Sequence, residues 1–317
     1  MNAYASPPID GVVEVRSTSS ALSKRALLAS LRCRAWTARV KDKAVTGETA
    51  DRYRAEESAV SVSKKLIECD ELNAVMSVIS AAGKTHVRLT LPWADGPKGA
   101  PRILAVQAYS EYVNAMREHQ EALDEAVRVF AAVYPEARDA AKRRMLGKMF
   151  DESDYPDDIT DRFSIETSLM PVPDKADWRV DLGDDDVAIL RADLEQQTRA
   201  SMNAAVRDAY ERVAAVVSNM ALRLREFEPQ KGEDGDRRRG RRKGCFKDSL
   251  VSNVADIAAL LPLLNVTQDP ALDALAKRMT ADLTRVDPDE LRNYEHLRTE
   301  VAGNAEALLR DISSFLA

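Results

Sequence analysis

The sequence predicts a mostly α fold: an elongated antiparallel helical bundle or coiled coil with a small β-ribbon and a C-terminal helical subdomain. Apolar residues recur every three to four positions over two long segments, 103–134 and 187–228. The chain is also 45% apolar yet only 5% aromatic, with 12 glycines in 317 residues, the composition of long helices joined through narrow seams. A third observation sets the functional expectation. The run Arg237-Arg238-Arg239-Gly240-Arg241-Arg242-Lys243-Gly244 interrupts a chain whose formal net charge is −6. Such charge separation suggests a contact surface rather than a catalytic centre.

In chain order, Val12-Val13-Glu14-Val15 is β-prone, and Ser17 to Ser20 offer N-caps to a helix carrying Leu22, Ala26, Ala29, Cys33, Trp36 and Val40. Trp36 is expected to point into the seam. Tyr53, Glu56, Val60, Ser63 and Ile67 continue a similar period after Thr46-Gly47. After Gly83 the stretch His86-Val87-Arg88-Leu89-Thr90-Leu91 alternates. It predicts a strand at 86–91 that pairs with residues 10–16 in a ribbon, followed by a Pro/Gly-rich irregular loop.

Ala105, Tyr109, Tyr112, Met116, His119, Leu123, Ala126, Phe130 and Val133 alternate four and three over 103–134, which Pro135 then kinks or ends. Between Phe150 and Asp186 the period fails. Asp154, Pro156, Asp157 and Asp158 predict an acidic turn, and Met170-Pro171-Val172-Pro173 predicts extended chain against which Trp178-Arg179-Val180 packs. Asp184 to Asp186 cap a second long helix with Leu190, Leu194, Met202, Val206, Ala209, Val213, Val216, Met220, Leu224 and Phe227 on one stripe.

Pro, Gly and charge blocks then predict a flexible basic linker over 229–247. It separates a bundle domain, 1–228, from a C-terminal helical subdomain, 248–317. Three helices are expected there. Asp269-Pro270 and Asp287-Pro288 each supply an Asp cap followed by Pro at the first helical position.

Chemistry is sparsely signalled. Residues 231–247 hold eight Lys/Arg against three Asp/Glu. Guanidinium forks pair with phosphate oxygens, so Arg237, Arg238, Arg239, Arg241, Arg242, Lys243 and Lys247 are the candidate nucleic-acid or polyanion contacts. The bland alternative is a solvated linker or protein-docking segment. The acidic set Asp151, Glu152, Asp154, Asp157, Asp158 and Asp161 lacks calcium-loop spacing, with Pro156 where glycine is required, and reads as a helix-capping turn rather than a metal site. His86, His119 and His296 share no local motif with a nucleophile. His119 sits on the seam, where a polar residue fixes register or partner number. No catalytic residue, cofactor or metal is expected. Three cysteines without Cys-x-x-Cys spacing fit a reducing cytoplasm, and no window is apolar enough to span a bilayer.

Leu89-Thr90-Leu91-Pro92-Trp93 after the N-terminal helix, and Phe150 to Leu182 with Pro171-Val172-Pro173 and Trp178-Arg179-Val180, resemble an uncharacterised helical family of phages and bacteria. The resemblance covers roughly residues 20–228. It implies no catalytic residues, and it implies an adaptor or substrate role beside MoxR-type AAA ATPases. The expected function is therefore a non-enzymatic, phage-encoded helical scaffold or adaptor that self-associates and mediates protein assembly. The alternative is a nucleic-acid-binding protein of phage DNA metabolism or packaging that uses the arginine loop.

Overall fold

The computed structural model describes residues 22–93, 99–174, 184–227 and 246–316. It is mostly helical, with eight α-helices and a small antiparallel sheet among the described residues. The chain forms two compact units: one from the segments Met1–Ala29, Leu89–Tyr109 and Leu169–Ala317, the other from Ser30–Arg88 and Ser110–Ser168.

The N-terminal helix expectation is overturned. Ala26–Arg34 is a strand, β1, with Ala26, Leu28 and Ala29 buried. Its partner β5, Arg102–Ala105, lies some seventy residues downstream and pairs antiparallel, Ala26 opposite Ala105 and Leu28 opposite Ile103. Four-residue spacing of small apolar residues fits helix and strand alike, and the distant partner decides. Two-residue β4, Leu91–Pro92, adds to β5, and the order β4-β5-β1-β6 puts β4 at an edge, where a proline without an N–H is tolerated. β6 is Ser164–Pro171, so the expected extended chain at Met170-Pro171 is present.

The expected strand at 86–91 is also corrected, and its proposed partner, residues 10–16, lies outside the described residues. Helix α2, Asp70–Leu89, runs through Gly83 to Leu89. Its buried residues Leu72, Val75, Ala82, His86 and Leu89 follow a period of 3.6, with Val87 exposed. Open space surrounds Gly83, so its only penalty is the ~1 kcal/mol propensity loss against alanine, too small to stop the helix.

Nor does one helix run over 53–67, which holds only the end of a helix at Tyr53 and a single 3-10 turn at Glu57–Ala59. Helix α1, Lys43–Tyr53, starts on Asp42, whose Oδ1 accepts from the Val45 N–H at 3.0 Å, and stops at left-handed Arg54 with φ 52°. The chain returns as β3, Ser63–Lys65, paired with β2, Arg39–Lys41.

Helix α3, Tyr109–Ala140, is 32 residues and passes through Pro135, six residues beyond the expected stop and six after the expected start, since 102–105 is β5. Its buried residues are Tyr112, Met116, Leu123, Val127, Phe130 and Tyr134. The stripe moves from the expected Ala126 and Val133 to Val127 and Tyr134. That drift is what a straight helix of 3.6 residues per turn shows against a strict heptad.

Around it lies the core of the second unit. Phe130 meets Phe163 edge-on at 6.1 Å and Tyr134 at 5.8 Å, and Trp36 meets Tyr134 at 5.9 Å. The acidic turn is tied down by hydroxyls: Tyr134 donates to the Pro156 carbonyl at 2.8 Å and Tyr155 to Leu66 at 2.9 Å. Its carboxylates are occupied locally. Asp154 pairs with buried Lys64 at 2.6 Å, while Asp151 and Asp158 accept from Ser153 and Thr160, bonds that hold both carboxyls below the usual range.

In the first unit, α4, Asp184–Arg225, is 42 residues. It packs on α5, Ser249–Leu264, and α8, Glu295–Leu316. Between these come α6, Pro270–Leu283, and short α7, Pro288–Asn293, each capped by its aspartate with proline at N1. Helices α4 to α8 thus share one unit, and most of the segment expected to divide them, 228–245, lies outside the described residues.

Phe130 is 0% exposed, so Phe130→Ala should destabilise the second unit by about 3–5 kcal/mol in urea unfolding, leaving first-unit amide protection unchanged. Burial pushes Tyr112 and Tyr155 up to about 12 from the ordinary 10.0. The folded state keeps these phenols neutral while the unfolded chain ionises, so their contribution is complete below pH 10 and is lost as pH rises toward about 12. An ultraviolet titration should show late-ionising tyrosines above the main transition, and Tyr112→Phe and Tyr155→Phe should each remove one of them.

Candidate polyanion interface at the base of the arginine-rich loop

Helix α4 delivers Phe227 at the end of its apolar stripe, two residues past Arg225, with Leu224 buried beneath. Phe246 stands at the start of the segment leading into α5 and is 4% exposed. The two rings lie 5.2 Å apart at 56°. The chain therefore leaves at 227 and re-enters beside the same point at 246. The two described ends that flank 228–245 thus stand side by side within one unit.

Two guanidinium groups complete the closure. Arg298 of α8 lies 4.7 Å over the Phe227 ring and is only 6% exposed. A buried cation needs acceptors, and Arg298 donates to the carbonyls of Leu291 and Arg292, both at 3.0 Å. These close the C-terminal turn of α7, where the helix dipole favours positive charge. Arg292 lies 5.3 Å over Phe246 and pairs with Asp248 and Asp289. Each ring is thus covered by a cation, a stacking that strengthens as water is excluded.

Of the candidate contacts, Arg237, Arg238, Arg239, Arg241, Arg242 and Lys243 lie outside the described residues. Lys247 is described, exposed, and one residue beyond the clamp. Its carbonyl accepts from the Leu250 N–H at 2.9 Å at the entry to α5. Phe227, Phe246, Arg292 and Arg298 were not among the residues picked out from sequence as candidate contacts. The one available signal was a phenylalanine on each side of the charged run; the two arginines look like ordinary helix-surface charges until α7 and α8 fold.

Elsewhere the polar clusters have structural partners. The seam residue His119 bonds Thr85 Oγ1 through Nε2 at 2.9 Å, and buried His86 bonds the Tyr112 hydroxyl through Nδ1 at 2.9 Å. Burial pushes the Cys33 and Cys69 thiols up, away from the thiolate a nucleophile needs. In the first unit, Arg102 and Arg212 both donate to the Thr90 carbonyl, at 3.1 and 2.8 Å, with Asp208 paired to Arg212 at 2.7 Å. Burial and the neighbouring Arg212 charge lower the Arg102 pKa. Among the described residues no group of His, Cys, Asp and Glu could hold a metal ion, and no helix is long and apolar enough to cross a membrane.

Phe246→Ala should destabilise the first unit by about 3 kcal/mol and speed amide exchange in the first turn of α5, read by exchange mass spectrometry. Second-unit amides should be unaffected. No family model, curated protein or solved structure matches this chain.

Proposed function

We propose that this chain is a non-enzymatic helical scaffold or adaptor that works by binding, with the arginine-rich loop as its contact to an anionic partner surface. The observation that carries this reading is the aromatic and guanidinium clamp of Phe227, Phe246, Arg292 and Arg298. A solvated spacer needs no such closure. Rings and cations that fasten both flanks of the arginine-rich run fix where it leaves and rejoins the helices, and the density of cations in its sequence raises the local field. The resemblance to a phage and bacterial helical family supports an assembly role next to an AAA ATPase, and self-association belongs to the same proposal, as does the elongated, coiled-coil-like use of α3 and α4.

Nucleic acid is the second reading, favoured by the density of arginine in 237–243. The two rings of the clamp are already covered by cations, so this reading relies on phosphate contact and not on base stacking.

Gel retardation on duplex DNA separates the two. If the five arginines contact phosphates, affinity falls about 500-fold between 50 and 200 mM salt, following a slope of about 0.9 per neutralised phosphate. Replacing Arg237, Arg238, Arg239, Arg241 and Arg242 by alanine then removes binding. Retention that ignores salt, or that survives all five substitutions, rejects the nucleic-acid reading and leaves protein docking, tested by the same variant against a partner with an acidic face.

A further inference from the structure

Helices α5 and α6 leave an open groove of about 820 Å³ between them, lined by Ala255, Ala259, Ala276, Thr280 and Ala281. Short side chains let another helix approach to ordinary interaxial distance without a clash. Lys277 and Arg285 stand on its rim, and neither has an ion-pair partner among the described residues. The acid on the same wall, Asp273, is engaged, its Oδ1 accepting from Asn265 Nδ2 at 3.1 Å. The groove is apolar within and cationic at its edge.

The complementary surface lies on the same chain. From Asp186 to Gln197 the first part of α4 has no buried residue, although it carries Val187, Ile189, Leu190 and Leu194, with Ile189 60% exposed. Asp186 and Asp193, seven residues apart, flank Leu190 on one helical face, and neither has an ion-pair partner among the described residues. At 1.5 Å per residue they are about 10.5 Å apart along the axis. Lys277 stands on α6, and Arg285 lies two residues past the end of that helix at Leu283. An unburied aliphatic face bracketed by two free carboxylates matches a small-residue groove bracketed by two free cations.

We infer that the α5–α6 groove of one copy receives the Asp186–Gln197 arm of a second copy. Asp186 and Asp193 meet Lys277 and Arg285, and Ile189, Leu190 and Leu194 fill the space between the alanines. Every copy carries both halves, so two copies exchanging arms make both contacts at once and close the pair. That doubling matters, because one arm of about 18 Å falls short of the roughly 800 Å² per partner that a stable interface buries. The inference goes beyond the loop contact proposed above and uses none of its residues.

The test is the mass of the full-length protein in sedimentation equilibrium. The unaltered chain should dimerise in the micromolar range, about −8 kcal/mol. Asp186→Lys with Asp193→Lys, and separately Lys277→Glu with Arg285→Glu, should each weaken the dimer at least tenfold. All four positions are surface charges, so the variants should keep their helical circular dichroism. Combining the four changes in one chain should restore association. Ala259→Trp, which fills the groove without altering charge, should abolish it. The loop variant with five alanines should still dimerise, which distinguishes this proposal's failure from that of the loop contact. A monomer at about 100 µM, or a dimer indifferent to both reversals and to Ala259→Trp, overturns it.

Discussion

Burial of one stripe of α4 holds the first unit together. From Thr198 to Leu224 the residues Met202, Ala209, Tyr210, Val213, Val217 and Met220 turn inward, and α5, α8 and β4 all pack on this helix. Tyr210 stacks on Phe315 at 4.6 Å, Arg225 grips Glu306 through two bonds of 2.8 and 3.0 Å, and Arg212 reaches the Thr90 carbonyl. The same stripe determines where Phe227 arrives. Rotating α4 by a fraction of a turn would part the two rings, uncover Arg298 and open the base of the loop. The buried arginine and the paired rings are therefore outcomes of helix packing and not independent devices.

The long helices were legible because their apolar stripes persist for many turns. Over 30 residues, helix and strand periods cannot be confused, and α3 and α4 overlap the segments the spacing marked, α3 with both ends shifted by six residues and stripes that slip by one at Val127, Tyr134, Ala205 and Val217. The proline caps of α6 and α7 were equally readable, because Asp-Pro acts within one turn. The short elements were not. Ala26–Arg34 has the spacing of a helix and becomes a strand only because Ile103 and Leu104 exist elsewhere. His86–Leu89 alternates like a strand and stays helical because the stripe behind it extends back to Leu72. In both cases a few residues were outweighed by partners that local pattern does not contain.

For the candidate site, charge was legible and architecture was not. The arginine run stands out in any reading of composition, yet the meeting of two rings 19 positions apart, with two cations drawn from a third region of the chain, does not. Such a constellation has no local signature. The acidic turn shows the reverse: six carboxylates crowd one stretch of sequence, and the structure disperses several among Lys64, Arg138, Ser153 and Thr160.

The contact between Phe227 and Phe246 also sets the entropic cost of the chain that joins them. Once two ends are fastened together, the entropy cost of the chain between them grows only logarithmically, about 0.6 kcal/mol for each doubling of length. A chain joining 227 to 246 can therefore lengthen or shorten at small entropic cost while the helices on either side keep their register.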